Sequence, residues 1–161
     1  MLKLKNLNKI AQPYRDRVKE YTETLYNYFG DDFIGLIVYG SVARAEQKIT
    51  EKYESDVDVL AVIENLPKRF SLKRMNTELK VKSVYSVTSE WVTKWELDQY
   101  FGAKTGFVLD AFDEGIFVYD PKNYLAKKRD ELFRELMQKN VIKNPKLGWV
   151  FPVKIGEKIE Y

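Results

Sequence analysis

Neither cysteine nor histidine occurs anywhere in this 161-residue chain. Disulfides, thiolate metal sites, structural zinc and cysteine nucleophiles are thereby excluded, as is any imidazole base. Long hydrophobic runs are missing too. Met1 to Lys9 alternates lysine with apolar residues, so neither a signal peptide nor a membrane span is expected, and the expected location is the cytoplasm. The 5 prolines and 8 glycines form no linker, and no repeat or low-complexity tract is present. A content of 45% hydrophobic residues in such a chain predicts one domain over 1–161, able to bury a real core.

The most informative stretch is Val38-Tyr39-Gly40-Ser41-Val42-Ala43-Arg44. An apolar, β-branched run from Phe33 to Tyr39 stops at Gly40-Ser41 and passes into Val42 to Gln47, which has helical propensity. The pattern predicts strand, turn and helix. Glycine lets backbone approach a ligand, the serine offers a hydroxyl, and the unpaired N–H groups of a new helix attract anions. A triphosphate suits such a cradle. Fourteen residues beyond Ser41, Ser55-Asp56-Val57-Asp58-Val59-Leu60 opens a second apolar run, Asp56 to Ile63, which reads as a buried strand. Alternation sets Asp56 and Asp58 on one face, where two adjacent negative charges repel unless a cation joins them. Oxygen ligands of this kind suit Mg²⁺ or Mn²⁺ bridging carboxylates to substrate phosphates. Taken singly, the first motif also fits a plain turn with a helix cap, and the second an edge strand with its acids in water. Their succession in one chain favours the nucleotide reading.

Gly40-Ser41-Val42-Ala43-Arg44 and Ser55-Asp56-Val57-Asp58 resemble the GS-x-A-R and S-D-x-D signature of the DNA polymerase β-like nucleotidyltransferase superfamily, in particular its small stand-alone members from archaea and bacteria. The resemblance spans roughly 33 to 90 and continues more loosely through Leu109 to Asp120 and the Gly156-Glu157-Lys158-Ile159 ending. It implies an α/β fold with a mixed sheet flanked by helices and a C-terminal helical extension, the core lying at about 10–90 and the extension at about 90–161. It also implies transfer of a nucleoside monophosphate from an NTP, ATP foremost, to an acceptor that is a protein, a small molecule or a nucleic acid. On that template Gly40 and Ser41 hold the β- and γ-phosphates, Asp56 and Asp58 hold the metals and act in catalysis, and Arg44 and Ser55 belong to the nucleotide-binding set. Glycine usually follows the arginine in such proteins; here Ala45 stands there, and its side chain suits a helix.

A third carboxylate usually completes that metal site from the next strand. The strand is expected at Val81 to Thr88, which contains no acid, and Ser83 aligns where the aspartate belongs. A serine hydroxyl is no base near neutral pH, so metal affinity and rate are expected to fall. Glu78 and Glu90 flank the strand as substitutes, although Glu78 reads as part of a charged helix and Glu90 as a first-turn helix acid. The missing acid keeps a second function class open: a catalytically weak or inactive nucleotide-binding or protein-binding module, antitoxin-like, with a partner protein.

Elsewhere, Tyr14, Val18, Tyr21, Leu25, Tyr28 and Phe29 recur at helical spacing between Pro13 and Gly30. Helices are expected at Lys68–Leu79, Glu90–Phe101, Thr105–Glu114 and from Asp120-Pro121 to Lys139–Asn140, with a short segment Ile116–Tyr119 between the last two. Trp91 and Trp95 would then share one helix face, as core or partner surface. Trp149 is expected to pack the tail. The ends, 1–20 and 121–146, are basic around an acidic middle, which reads more readily as solvated helix faces than as a nucleic-acid surface.

Overall fold

The computed structural model describes residues 2–153 and Gly156. The Gly156-Glu157-Lys158-Ile159 resemblance thus lies, apart from its glycine, outside the described residues. Helix α1 spans Tyr14–Phe29, and its buried positions Tyr14, Val18, Tyr21, Thr22 and Leu25 repeat at the spacing of one helical face. Gly30, at φ 55°, ends it as the sequence predicts. Strand β1, Phe33–Tyr39, leads into the single turn of α2, Gly40–Ala43, and strand β2 covers Val57–Ile63. Helix α3, Leu72–Lys80, starts behind Ser71, whose hydroxyl accepts from the Arg74 N–H.

The next elements differ from expectation. Strand β3 is Val87–Val92, not Val81–Thr88, and helix α4 is Lys94–Gly102, not Glu90–Phe101. The reason is a capping box: Thr93 accepts from the Glu96 N–H while the Glu96 carboxylate accepts from the Thr93 N–H, so the helix nucleates there. Upstream of it, Val87, Trp91 and Val92 suit a strand. Glu90 is therefore a strand residue and no helix acid. Trp91 is buried on β3, its indole N–H donating to the Tyr21 hydroxyl at 2.9 Å, whereas Trp95 lies exposed on α4, so the two share no helix. Helix α5 (Gly106–Glu114), strand β4 (Ile116–Tyr119) and helix α6 (Tyr124–Gln138) follow as predicted. Strands β5 (Ile142–Asn144) and β6 (Gly148–Val150) close a hairpin in a region expected to be helical.

Four strands form a mixed sheet in the order β3-β2-β1-β4, with β2 and β3 parallel and the other pairs antiparallel. Stretch 90–161 is thus not a purely helical extension, since Glu90–Val92 and β4 belong to this sheet. One sheet face, with Leu36, Val38, Val57, Val59 and Ala61, packs on α1. The other, with Ile37, Leu60, Val62 and Val92, packs on residues of α4, α5 and α6. Alternation along β1 and β2 supplies both faces, and helices on both sides satisfy them.

Gly115 shows how closely the second layer sits. A Cβ there would lie 2.0 Å from the Ala111 carbonyl oxygen and 2.4 Å from Ile37 Cγ2. Gly115→Ala is expected to cost about 2–3 kcal/mol by overpacking, read as a lower urea midpoint at unchanged slope.

Candidate active site

Tyr39 and Asp58 are direct cross-strand partners, which brings the Gly40 turn onto the first residues of β2. Gly40 has φ +74°, and a Cβ on it would stand 2.6 Å from Asp58 Oδ2. The glycine is required twice, for the left-handed turn and for the approach of the carboxylate. Asp58 therefore points at the Gly40-Ser41 bend. Its carboxyl pKa is raised, first by burial and second by the charge of Asp56, with Arg44 acting weakly the other way. Asp56 stands one residue before β2 and is exposed, and Ser86 Oγ donates to its Oδ1 at 3.0 Å.

Ser86 is a residue that sequence reasoning missed. At φ 59° it turns the chain into β3, and its hydroxyl also lies 3.1 Å from the Ser55 carbonyl. Ser55 itself is buried and braces the long connection: its hydroxyl accepts from the Lys48 N–H and its own N–H donates to the Lys48 carbonyl, both at 2.9 Å. The Arg17–Glu54 ion pair at 2.8 Å ties the same connection to α1. The connection between α2 and β2 is thereby held in place at small entropic cost.

Arg44 caps α2, but its guanidinium donates to Glu46 at 2.8 Å and to Glu114 at 2.7 Å rather than facing the bend. These bonds hold its pKa well above the usual value. Ala45, expected in a helix, instead sits at φ 55°, because α2 ends after one turn and the Glu46 N–H folds back to the Ser41 carbonyl at 2.8 Å. A non-glycine residue there costs on the order of 1 kcal/mol, so Ala45→Gly is expected to raise stability by about that amount in thermal unfolding.

Beyond Val81–Thr88, strand β3 carries an acid, Glu90. Leu60 is the register partner of Glu90, so Glu90 projects from the same sheet face as Asp58, on the adjacent parallel strand. Tyr39, on that face, has its phenol pushed up to about 12 by burial, then by Asp58 and by Glu90. Glu90 is engaged: Arg69 donates to it in a short ion pair, and the Tyr100 hydroxyl reaches it at 3.4 Å. Ser83 lies exposed before the strand, and Glu78 is an α3 residue paired with Arg74, so neither joins the carboxylates. Among the described residues, no three acidic side chains converge closely enough to hold an ion unaided. The crowded pair Asp56 and Asp58 nevertheless fits a hard cation that takes its other ligands from water and phosphate.

Several basic side chains of the C-terminal part are ion-paired. Lys128 meets Asp98, Lys104 meets Glu135, and Lys143 lies among Asp110, Asp113 and Glu114. Trp149 packs the tail, donating to Asp110 at 2.9 Å. Among the described residues no helix is long and apolar enough to cross a membrane.

No protein-family profile matches the chain. A curated relative from Methanocaldococcus jannaschii, named "Putative protein adenylyltransferase", is 40% identical over 65 residues, which are 40% of this chain and 37% of the relative. The match thus spans little more than a third of the relative's length. Among solved structures, a "putative nucleotidyltransferase" from Sulfolobus solfataricus gives a TM-score of 0.44 at 17% identity, covering 66% of this chain and 80% of its own. A nucleotidyltransferase-like protein from Exiguobacterium sibiricum gives 0.44 at 16% identity, covering 72% and 38%. A toxin–antitoxin structure with AMP-PNP gives 0.44 at 12% identity, covering 76% and 91%. The curated match and the paired motifs support a place for this chain among small nucleotidyltransferase-like proteins.

Proposed function

We propose that this small nucleotidyltransferase-like chain moves a nucleoside monophosphate from an NTP to an acceptor hydroxyl. The observation that carries the reading is the Asp58 carboxylate lodged against the side-chain-free Gly40, beside the Asp56 charge. The Methanocaldococcus jannaschii relative's name supports ATP as donor and a protein as acceptor. Asp56 and Asp58 would hold Mg²⁺ or Mn²⁺, and a bound ion would neutralise charge on the polyphosphate. Backbone N–H groups at Gly40 and Ser41, with the Ser41 hydroxyl, would hold the outer phosphates. The acceptor oxygen attacks the α-phosphorus, the bond to the β-phosphate bridging oxygen breaks, and pyrophosphate leaves. The hydroxyl proton passes to a carboxylate, for which Glu90 stands on the correct face once it parts from Arg69. Positioning and charge supply the rate.

One observation favours a second reading, a nucleotide-binding module without turnover: Glu90 is held by Arg69. Radiolabelled ATP with Mg²⁺ or Mn²⁺ and candidate acceptors separates the two. Label transferred and pyrophosphate released, both lost in Asp58→Ala, support the transferase. Calorimetric ATP binding that needs Asp56, with no pyrophosphate formed, supports the module.

A further inference from the structure

Ser86 bonds to each residue of the segment Ser55-Asp56-Val57. Its hydroxyl lies 3.0 Å from Asp56 Oδ1 and 3.1 Å from the Ser55 carbonyl oxygen, and its own carbonyl accepts from the Val57 N–H at 2.7 Å. One hydroxyl hydrogen thus faces two acceptors, of which the charged carboxylate oxygen is the stronger. Ser86 does this at φ 59°, a left-handed conformation that a residue with a Cβ adopts only against a free-energy cost. A hydroxyl bonded to a metal-binding carboxylate fixes how that carboxylate is presented.

The surroundings hold Ser86 where it is. The Val87 N–H beside it donates to the Val84 carbonyl at 3.2 Å, and Val57 and Val87 are register partners at the start of the parallel pair β2 and β3. Arg17 ties both approaches to α1: it is ion-paired to Glu54 at 2.8 Å, and its guanidinium lies 4.9 Å from the centre of the Tyr85 ring. The two aspartates are therefore unequally equipped. Among the described residues, Asp56 receives a donor on Oδ1 and none on Oδ2, while Asp58 receives none on either oxygen.

We propose that Ser86 sets which divalent ion this site prefers, by holding Asp56 Oδ1 and leaving only Oδ2 for the ion. The inference rests on the transferase reading, in which Asp56 and Asp58 hold Mg²⁺ or Mn²⁺. A carboxylate restricted to one oxygen suits Mg²⁺, which demands a small, near-octahedral shell, whereas Ca²⁺ takes more oxygens at longer distances and gains from a carboxylate that offers both. Ser86 is a positioning residue here, acting on the ion through Asp56.

The test is a competition. Mn²⁺ bound to the protein with α,β-methylene ATP, which cannot be turned over, is followed by water-proton relaxation while Mg²⁺ or Ca²⁺ is titrated against it. Chelation by the nucleotide is common to parent and variants and cancels from their comparison. In Ser86→Ala, which keeps the Cβ and removes the hydroxyl, the preference for Mg²⁺ over Ca²⁺ should fall about tenfold or more. Ser86→Gly should show the same fall while unfolding at a higher temperature than Ser86→Ala, because glycine accepts φ 59° freely. The inference is overturned if both variants keep the parent's preference, if the preference recovers in the more stable glycine variant, or if the glycine variant alone departs from the parent, since each result removes the hydroxyl from the selection. A parent that binds no Mn²⁺ with the analogue sinks the transferase reading and this inference with it. A parent that binds Mn²⁺, with both variants on its competition curves, sinks this inference alone.

Discussion

Asp58→Asn is expected to lower nucleotidyl transfer about a thousandfold or more and, at the same time, to raise the thermal midpoint of the metal-free protein at neutral pH. The first effect follows from removing one of the two carboxylates proposed to hold the metal beside the Gly40 bend, where charge neutralisation by a bound ion would contribute several kcal/mol. The second follows from the raised pKa of Asp58, caused by burial and then by Asp56. In the unfolded chain this carboxyl loses its proton at a lower pH than in the folded protein. Below its unfolded pKa both states are protonated and Asp58 costs nothing. As pH rises through the interval up to the folded pKa, the unfolded state binds fewer protons than the native one, and stability declines. Asparagine never charges, so the midpoint difference between variant and parent should open across that interval and then stay level. Mg²⁺ with ATP should stabilise the parent and leave the variant unmoved, by mass action on the native state. Equal midpoints at neutral pH, or full activity in the variant, would remove Asp58 from the site.

The same carboxylate shows why part of the site is legible in the chain. Gly40, Ser41, Asp56 and Asp58 sit within local patterns, a strand running into a glycine turn and a period-two pair of acids, and each pattern dictates direction as well as residue type. The α1 face and the apolar strands β1 and β2 follow from periodicity in the same way. Glu90 is obscured because its assignment depends on where one element stops and another starts. Thr93 and Glu96 carry the T-x-x-E capping signal, and reading it would have begun α4 at Lys94 and released Glu90 to the strand. Arg44 is different. Its guanidinium is claimed by Glu114, seventy residues away, and no local pattern reveals such a partner. The β5–β6 hairpin is likewise set by Asn144, whose side chain accepts from the Lys146 and Leu147 N–H groups to close the turn, between strands of three residues too short for periodicity to register.

The proposed release of Glu90 from Arg69 toward the carboxylate face carries the other large effect. Glu90→Gln is expected to reduce transfer about a hundredfold or more, within the range for loss of a positioned proton acceptor. Its thermal midpoint should hardly move, because the Arg69–Glu90 pair is about one-third exposed on each side, at 32% and 32%, and such pairs contribute at most about 1 kcal/mol. Arg69→Met provides the opposite perturbation. With its cation gone, Glu90 is free to turn toward Asp58, and the Mg²⁺ concentration for half-maximal transfer should fall, whereas in Glu90→Gln it should rise. A pair acting only as a structural link between Arg69 and β3 would leave both metal titrations on the parent curve. In the double variant, if the two residues act through one another, the Arg69→Met gain disappears, since no carboxylate remains to be released. Additive shifts would instead place Arg69 and Glu90 in separate roles and return the site to two acids, Asp56 and Asp58.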